Sequence, residues 1–263
     1  MLIDALIEYG LKSAANRKLK DVRAGLGYTC VMLEGDSCGL AYTFRNELGR
    51  CCGALSDAGS LIGRKAAEII TWAKSGDRLK AAIGLAVINA IINDQVADWD
   101  TGNVTGALDV GTSDTFGMIG EFRPILSAIK NRTENIYVFE QDVPPKSSLY
   151  SSDAIPLHLP ECSVVLITAT SIINHTFEEI IPYCKSAREV CIAGPSTPLC
   201  SEAFREYNVT LLAGSIVRDP ELALQIISQG GGTKSMKPAI TQVLVRVNYS
   251  DKEGDGYEHH KRW

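Results

Sequence analysis

The sequence predicts an α/β protein in which a small α+β unit precedes a larger unit built on a parallel sheet. Three observations predict it. The run Phe116-Gly-Met-Ile-Gly-Glu-Phe-Arg-Pro124 passes from an apolar strand through a glycine turn into a helix, and Ile136-Tyr-Val-Phe-Glu140 follows as a second apolar strand ending in a carboxylate. From there, short apolar runs alternate with helical patterns as far as residue 229, the signature of parallel strands covered on both faces. The first hundred residues show a different order: a helix, an antiparallel pair, then two helices.

Each element has its own local reason. Residues 2–19 carry Leu2, Ile3, Leu6, Ile7, Leu11, Ala14 and Ala15 at helical spacing. Residues 22–33 and 38–44 read as two strands joined by a turn at Gly35-Asp36-Ser37. A first helix follows, capped by Asp57 or Ser60, with Leu61, Ile62, Ala66, Ile69, Ile70 and Ala73 as its apolar set. A second is capped by Asp77, with Leu79, Ile83, Ala86, Val87 and Ile91 on one face. The polar stretch 94–114 reads as a linker or functional loop, which sets the expected domains at 1–111 and 112–263. Beyond it, strands are expected at 115–119, 135–140, 163–168, 188–193 and 209–213, and helices at 122–131, 176–185, 200–207 and 220–229. The last helix has Asp219 as cap, Pro220 at its first position and Gly230 after its end. Residues 242–249 alternate like a strand, and the polar tail from Asp251, with His259-His260, reads as solvated chain.

Composition narrows the function classes. Hydrophobic residues make up 45% of the 263, charged residues 22%, and the net charge is -5. That is ordinary for a soluble globular protein and gives no general attraction to phosphate backbones. No nucleic-acid partner is expected. The longest apolar run, Ala81 to Ile92, is too short to span a bilayer, so no membrane partner is expected either. The first residues mix acids with apolar residues and do not read as a signal peptide, which points to a cytoplasmic protein. Its eight cysteines, Cys30, Cys38, Cys51, Cys52, Cys162, Cys184, Cys191 and Cys200, contain no C-x-x-C pair and read as free thiols. No Ser-His-Asp set, G-x-S-x-G or H-E-x-x-H is visible, and His158 and His175 stand isolated.

The candidate site lies where an α/β sheet binds its ligand, at the carboxyl ends of the strands. Gly117-Met-Ile-Gly120 is half of a G-x-G-x-x-G turn, and Glu121 stands where a phosphate would be repelled. This counts against a nicotinamide dinucleotide. Glu140 ends the second strand at the position that binds ribose hydroxyls in dinucleotide and methyl-donor sites; its alternative is a solvent-facing strand end. Thr168, Thr170, Ser171 and Asn174 follow a buried strand and suit a polar heterocycle or carbonyl, although Asn174 could equally cap the next helix. Gly194-Pro195-Ser196 closes the following strand as a rigid turn. Asn89 is a polar residue inside an apolar helix, either a satisfied core amide or a cleft contact. Glu121, partly buried at the turn, is the candidate general acid or base.

Several segments resemble the putative heavy-metal chelation family. They are Met118-Ile-Gly-Glu-Phe-Arg-Pro-Ile125, Leu166 through Asn174, Ala193-Gly-Pro-Ser-Thr-Pro-Leu199, and Gly214 through Pro220 leading to Gly230-Gly-Gly. Gly39-Leu-Ala-Tyr-Thr43 and Ile88-Asn-Ala90 add the N-terminal half. The resemblance covers roughly residues 1–235. It implies an enolase N-terminal-like domain joined to a Rossmann-like domain, with a cleft between them as the site. It implies a role in making or handling flavin-, pterin- or siderophore-like chelators of heavy metals. On this reading the partner is a small molecule, a homo-oligomer is allowed, and an enzyme would be a hydrolase or a condensing enzyme acting on a heterocyclic metabolite. The cofactor is open: a metal–chelator complex ahead of a nicotinamide dinucleotide or methyl donor. By motif, Gly120, Glu121, Thr168, Thr170, Asn174, Gly194, Pro195 and Ser196 carry over as cleft residues, and the resemblance turns Asn89 toward the cleft.

Overall fold

The computed structural model describes residues 1–14, 16–48, 53–95 and 99–247. Cys51-Cys52 and the tail with His259-His260 lie outside them. The chain starts with α1 (Leu2–Ala14), followed by β1 (Leu19–Ala24), β2 (Tyr28–Leu33) and β3 (Cys38–Tyr42), then α2 (Ala66–Ile69) and α3 (Arg78–Ile92). β4 (Asp100–Thr101) and α4 (Val104–Ala107) lead into β5 (Phe116–Ile119), α5 (Arg123–Ile129), β6 (Ile136–Glu140), β7 (Tyr150–Ser151) and α6 (Ile155–His158). β8 (Val164–Thr168), α7 (Thr170–Ile173), α8 (Phe177–Ile180), β9 (Glu189–Ala193), α9 (Ser201–Phe204), β10 (Leu211–Val217), α10 (Pro220–Ser228), α11 (Thr233–Met236) and β11 (Ile240–Arg246) complete it.

The mixed α/β class holds. Among the described residues β1-β2-β3 form an antiparallel sheet, and eight strands form a second sheet in the order β4-β11-β10-β9-β8-β5-β6-β7. From β10 to β7 the pairs are parallel. β11 and β4 add an antiparallel edge. The chain moves outward from β5 through β6 to β7, then crosses back to β8 and continues through β9 to β10. The order therefore reverses between β5 and β8, and in open α/β sheets a ligand crevice opens at that reversal.

Several element boundaries differ from the sequence reading. The expected strand 22–33 is two strands, because the chain turns at Gly25–Gly27 and Gly25 N donates to Tyr28 O at 2.9 Å. The helix expected from residue 61 begins at Ala66 and tightens into a 3-10 turn at Ile70–Lys74. The helix expected over 176–185 likewise becomes 3-10 from Ile181, because Pro182 has no N–H to donate. The polar stretch 94–114 is not merely a linker: Asp100–Thr101 pair with β11, and Leu108 and Val110 are buried with Phe116 and Met118. Two of the caps read from sequence are present, but neither Asp57 nor Ser60 caps α2, whose N-cap is Lys65 with no side-chain bond because the helix starts later than expected. Asp77 accepts from the N–H groups of Leu79 and Lys80, and Asp219 from that of Leu222.

α3 organises the interior. Every residue from Ala81 to Ile92 is buried, as expected of a helix apolar on all sides. One hydrophobic cluster runs from α1 and α3 through β8 and β9 to Phe177 and Phe204. The two units thus share a core, in which each fully buried Leu or Ile contributes roughly 1.5–3 kcal/mol. Gly39 shows how closely β3 approaches α3: a Cβ there would lie 2.1 Å from Ala86 O and 2.2 Å from Ala90 N.

Candidate functional site

A cleft of about 760 Å³ opens at the carboxyl ends of β5, β6, β8 and β9. It is lined by Gly120, Glu121, Glu140, Thr168, Thr170, Asn174, Gly194, Pro195 and Ser196 from the large sheet, and the N-terminal unit adds a wall of Tyr28, Tyr42, Phe44, Arg45, Asn46 and Glu47. The strand reversal explains the position. The helical turns after β5 and β8 leave on opposite faces of the sheet, so the space above their ends stays open.

The β5 turn sets the floor. Gly120 sits at φ +84°, and its missing side chain matters as much, since a Cβ would come within 2.9 Å of Thr168 Cγ2. Gly120 N donates to Phe139 O at 2.9 Å, which locks the turn onto β6. The next amide, Glu121 N, donates to Glu140 Oε1 at 2.5 Å. In a dinucleotide site the amides of this turn face phosphate. Here a carboxylate takes one of them, so the turn does not fit a pyrophosphate. Glu121 itself is mostly buried and accepts from Arg123 Nε at 3.2 Å, while Arg123 lies in solvent.

The β8 end holds its hydroxyls together. Thr168 Oγ1 and Thr170 Oγ1 are 3.0 Å apart, and Ser171 Oγ donates to Thr168 O at 2.7 Å. Asn174 faces the cleft but spends its carbonyl on the local turn, where Oδ1 accepts from Thr176 N and Thr176 Oγ1.

Asn89 requires a correction. It lines no part of the cleft and is fully buried in α3. Its amide donates to Leu40 O at 2.8 Å and Ser196 O at 3.1 Å, and its Oδ1 has no partner among the described residues. It acts on the cleft wall from behind. One turn later Asn93, which the sequence reading missed, does the same. It donates to Thr197 O at 3.0 Å and Ser215 O at 3.3 Å, and it accepts from Leu199 N at 2.9 Å. Tyr42 N adds a bond to Ser196 Oγ at 2.8 Å. The turn from Gly194 to Leu199 is therefore tied to the N-terminal unit by buried amides. Two asparagines four residues apart, one in the apolar helix α3 and one at its C-cap, were the available signal.

The sequence reading also missed the aromatic wall. Tyr28 and Tyr42 meet edge to face at 6.0 Å, and Tyr42 and Phe44 at 5.1 Å; only tertiary packing brings these rings into the cleft that the β5 turn also lines. His158 and His175 are not among the lining residues, although Asn174 and Thr176 on either side of His175 are. His158 stacks on Tyr137 at 4.6 Å, and His175 Nε2 meets Ser75 O at 3.1 Å.

The cleft is acidic. Glu47, Glu121, Glu140, Asp142, Asp153 and Glu179 line it against Arg45 as the one cationic lining residue among those described. Arg78 pairs with Glu47 and Arg123 with Glu121. No Cys or His is among the lining residues, and no group of three or more His, Cys, Asp or Glu among the described residues is placed to hold a metal ion. Carboxylates suit hard cations, whereas heavy metals prefer thiolate and imidazole. The described residues therefore do not fit direct chelation of a heavy metal. No helix among them is long and apolar enough to cross a membrane.

Known proteins share this architecture. A family described as "Putative heavy-metal chelation" matches residues 103–246, and a second family of the same description matches residues 7–92. An uncharacterized protein of Methanocaldococcus jannaschii is 25% identical over 258 residues, covering 94% of this chain and 98% of that protein. A protein of unknown function from Pyrococcus horikoshii, from the family matched over 103–246, has a crystal structure that superposes with a TM-score of 0.82 at 26% identity. The alignment covers 94% of this chain and 100% of that one. A member from Desulfitobacterium hafniense shares the fold, with a TM-score of 0.78, 21% identity, and 93% and 98% of the two chains covered. With one family match spanning more than half the chain, this protein belongs to the putative heavy-metal chelation family.

Proposed function

We propose that the cleft binds a small organic chelator, or the complex of that chelator with a metal ion, and that the protein handles metals through this ligand rather than by its own side chains. The observation that carries the reading is the lining itself. Among the described lining residues six carboxylates face one guanidinium, and Arg78 and Arg123 pair with only two of them, a field that attracts a cationic ligand and repels a phosphorylated one. With no thiolate or imidazole among the described lining residues, a heavy metal would arrive with its donors already supplied. The family's description supports the same link to metals. The hydroxyls of Thr168 and Thr170 and the backbone of Gly194–Ser196 would orient the ligand's polar groups, and the rings of Tyr28, Tyr42 and Phe44 would cover its apolar face.

Catalysis is the second reading, and Glu121 favours it. Its carboxylate sits on the β5 turn inside the cleft, on the residue whose backbone N–H is held by Glu140, where it could move a proton to or from a bound heterocycle. The enzyme would then be a hydrolase or condensing enzyme of flavin-, pterin- or siderophore-like chelators. The expected localisation is the cytoplasm, and the expected partner a small molecule.

Native mass spectrometry with metal analysis on protein purified without added ligand tests binding. A retained organic mass, with or without metal, supports the proposal. Retention of a nucleotide or phosphorylated ligand would refute it. Glu121→Gln separates the two readings: if Glu121 is the acid or base, turnover of the identified ligand falls by about 10²-fold or more with binding kept. Full turnover in that variant removes Glu121 from the chemistry.

A further inference from the structure

We infer that Cys30 and Cys38 form a reversible intramolecular disulfide, a modification site outside the cleft. The two thiols lie on the adjacent antiparallel strands β2 and β3, with Cys30 opposite Leu40 and Cys38 opposite Met32. They are therefore diagonal neighbours on one face of the sheet. Their sulfurs are 2.9 Å apart and both are free thiols. About 0.9 Å of approach separates them from the S–S bonding distance of about 2.04 Å. The other buried free thiols, Cys162, Cys184, Cys191 and Cys200, have no such thiol neighbour among the described residues.

The register explains why the bond would be reversible. Diagonal positions across an antiparallel pair have Cα atoms about 7–8 Å apart, whereas disulfides prefer roughly 4.4–6.8 Å. The bond must draw the strands together diagonally, and strained disulfides are the more easily reduced ones. The face carrying Cys30 and Cys38 continues along the same strands to Tyr28 and Tyr42, which line the cleft. A covalent brace would therefore act on the sheet that carries the aromatic wall.

The chemistry is thiol–disulfide exchange with a low-molecular-weight disulfide such as oxidised glutathione. One cysteine thiolate attacks the glutathione disulfide and releases one glutathione thiolate. The second cysteine then attacks the mixed disulfide and releases the other. Two protein thiols are oxidised, one glutathione disulfide is reduced to two thiols, and the two protons pass to the leaving thiolates. The hydrogen bond to Cys38 and burial hold the Cys30 thiol well above the usual range. Attack must therefore wait for local opening of the strand pair, and the reaction is slow in the native protein.

The test uses the full chain equilibrated with oxidised glutathione, acid-quenched, alkylated under denaturing conditions and cleaved at glutamate. Glu34 lies between the two cysteines, and the fragments 9–34 and 35–47 carry one cysteine each. The expected result is that most of both fragments is recovered joined, lighter by two hydrogens than their sum, and that reduced glutathione separates them. Recovery of the fragments apart, whether alkylated or as glutathione adducts, overturns the inference. So does a link that reduced glutathione leaves intact.

Discussion

Replacing Asn93 by alanine removes the most connected side chain behind the cleft wall, and its cost can be worked from the structure. Asn93 is 3% exposed and makes three hydrogen bonds, to Thr197 O, Ser215 O and Leu199 N. Leu199 N is a buried donor whose bond to Asn93 Oδ1 would be lost outright. An unsatisfied buried group costs about 1–3 kcal/mol, and the two carbonyls, each of which can still accept elsewhere, add less. The expected destabilisation is therefore about 2–4 kcal/mol for Asn93→Ala. Asn93→Asp should be worse, although it keeps the acceptor for Leu199 N, because it sets a buried carboxylate against two carbonyl oxygens. Urea unfolding with an unchanged m-value, read as a shift in midpoint, measures both. A loss below about 0.5 kcal/mol for Asn93→Ala, the range of an ordinary surface change, would refute the reasoning and show that the wall stands without its clamp.

Three further outcomes are expected. Gly39→Ala should cost about 1–3 kcal/mol or more by forcing β3 away from α3, since the new Cβ would lie 2.1 Å from Ala86 O; an unchanged melting temperature would contradict that contact. Asp114 is held below the usual carboxylate range by hydrogen bonds from Ser163 Oγ and Gly111 N and by the Arg188 guanidinium. Its folded pKa lies below the unfolded one, so its contribution is complete above the unfolded value of about 3.9 and is lost as pH falls through the folded value. Asp114→Asn should flatten that acid limb in stability measured against pH, and an unaltered limb would remove Asp114 from it. Burial pushes the Cys162 and Cys184 thiols up to about 12 each, so iodoacetamide at pH 8 should label them only after unfolding; rapid labelling of the native protein would contradict their environment.

How much could be read in advance varied with how local each feature is. The parallel strands, the Asp77 and Asp219 caps and the β5 turn rest on patterns within a few residues, and the strand boundaries at β5, β6, β8 and β9 fall within a residue of expectation. The break at Gly25–Gly27 was hidden because two short strands and a tight turn share one apolar run. The short α2 and α8 were overextended because apolar spacing does not distinguish an α-helix from a 3-10 continuation. Asp100–Thr101 gave no signal at all: two residues become a strand only because β11 presents an edge to them.

The candidate cleft divides along the same line. The sequence by itself determined that Gly120, Glu121, Glu140, Thr168 and Gly194 stand at strand ends, because strand periodicity and turn chemistry are properties of neighbouring residues. Only the tertiary structure decided that β5 and β8 are neighbours, that Glu140 accepts the Glu121 amide, and that Asn89 and Asn93 face inward to hold the wall rather than outward to a ligand. It alone brought Tyr28, Tyr42 and Phe44 into the cleft that the β5 turn lines. These contacts join residues up to more than a hundred positions apart, and their partners are chosen by which faces the shared core buries, a choice no local pattern encodes.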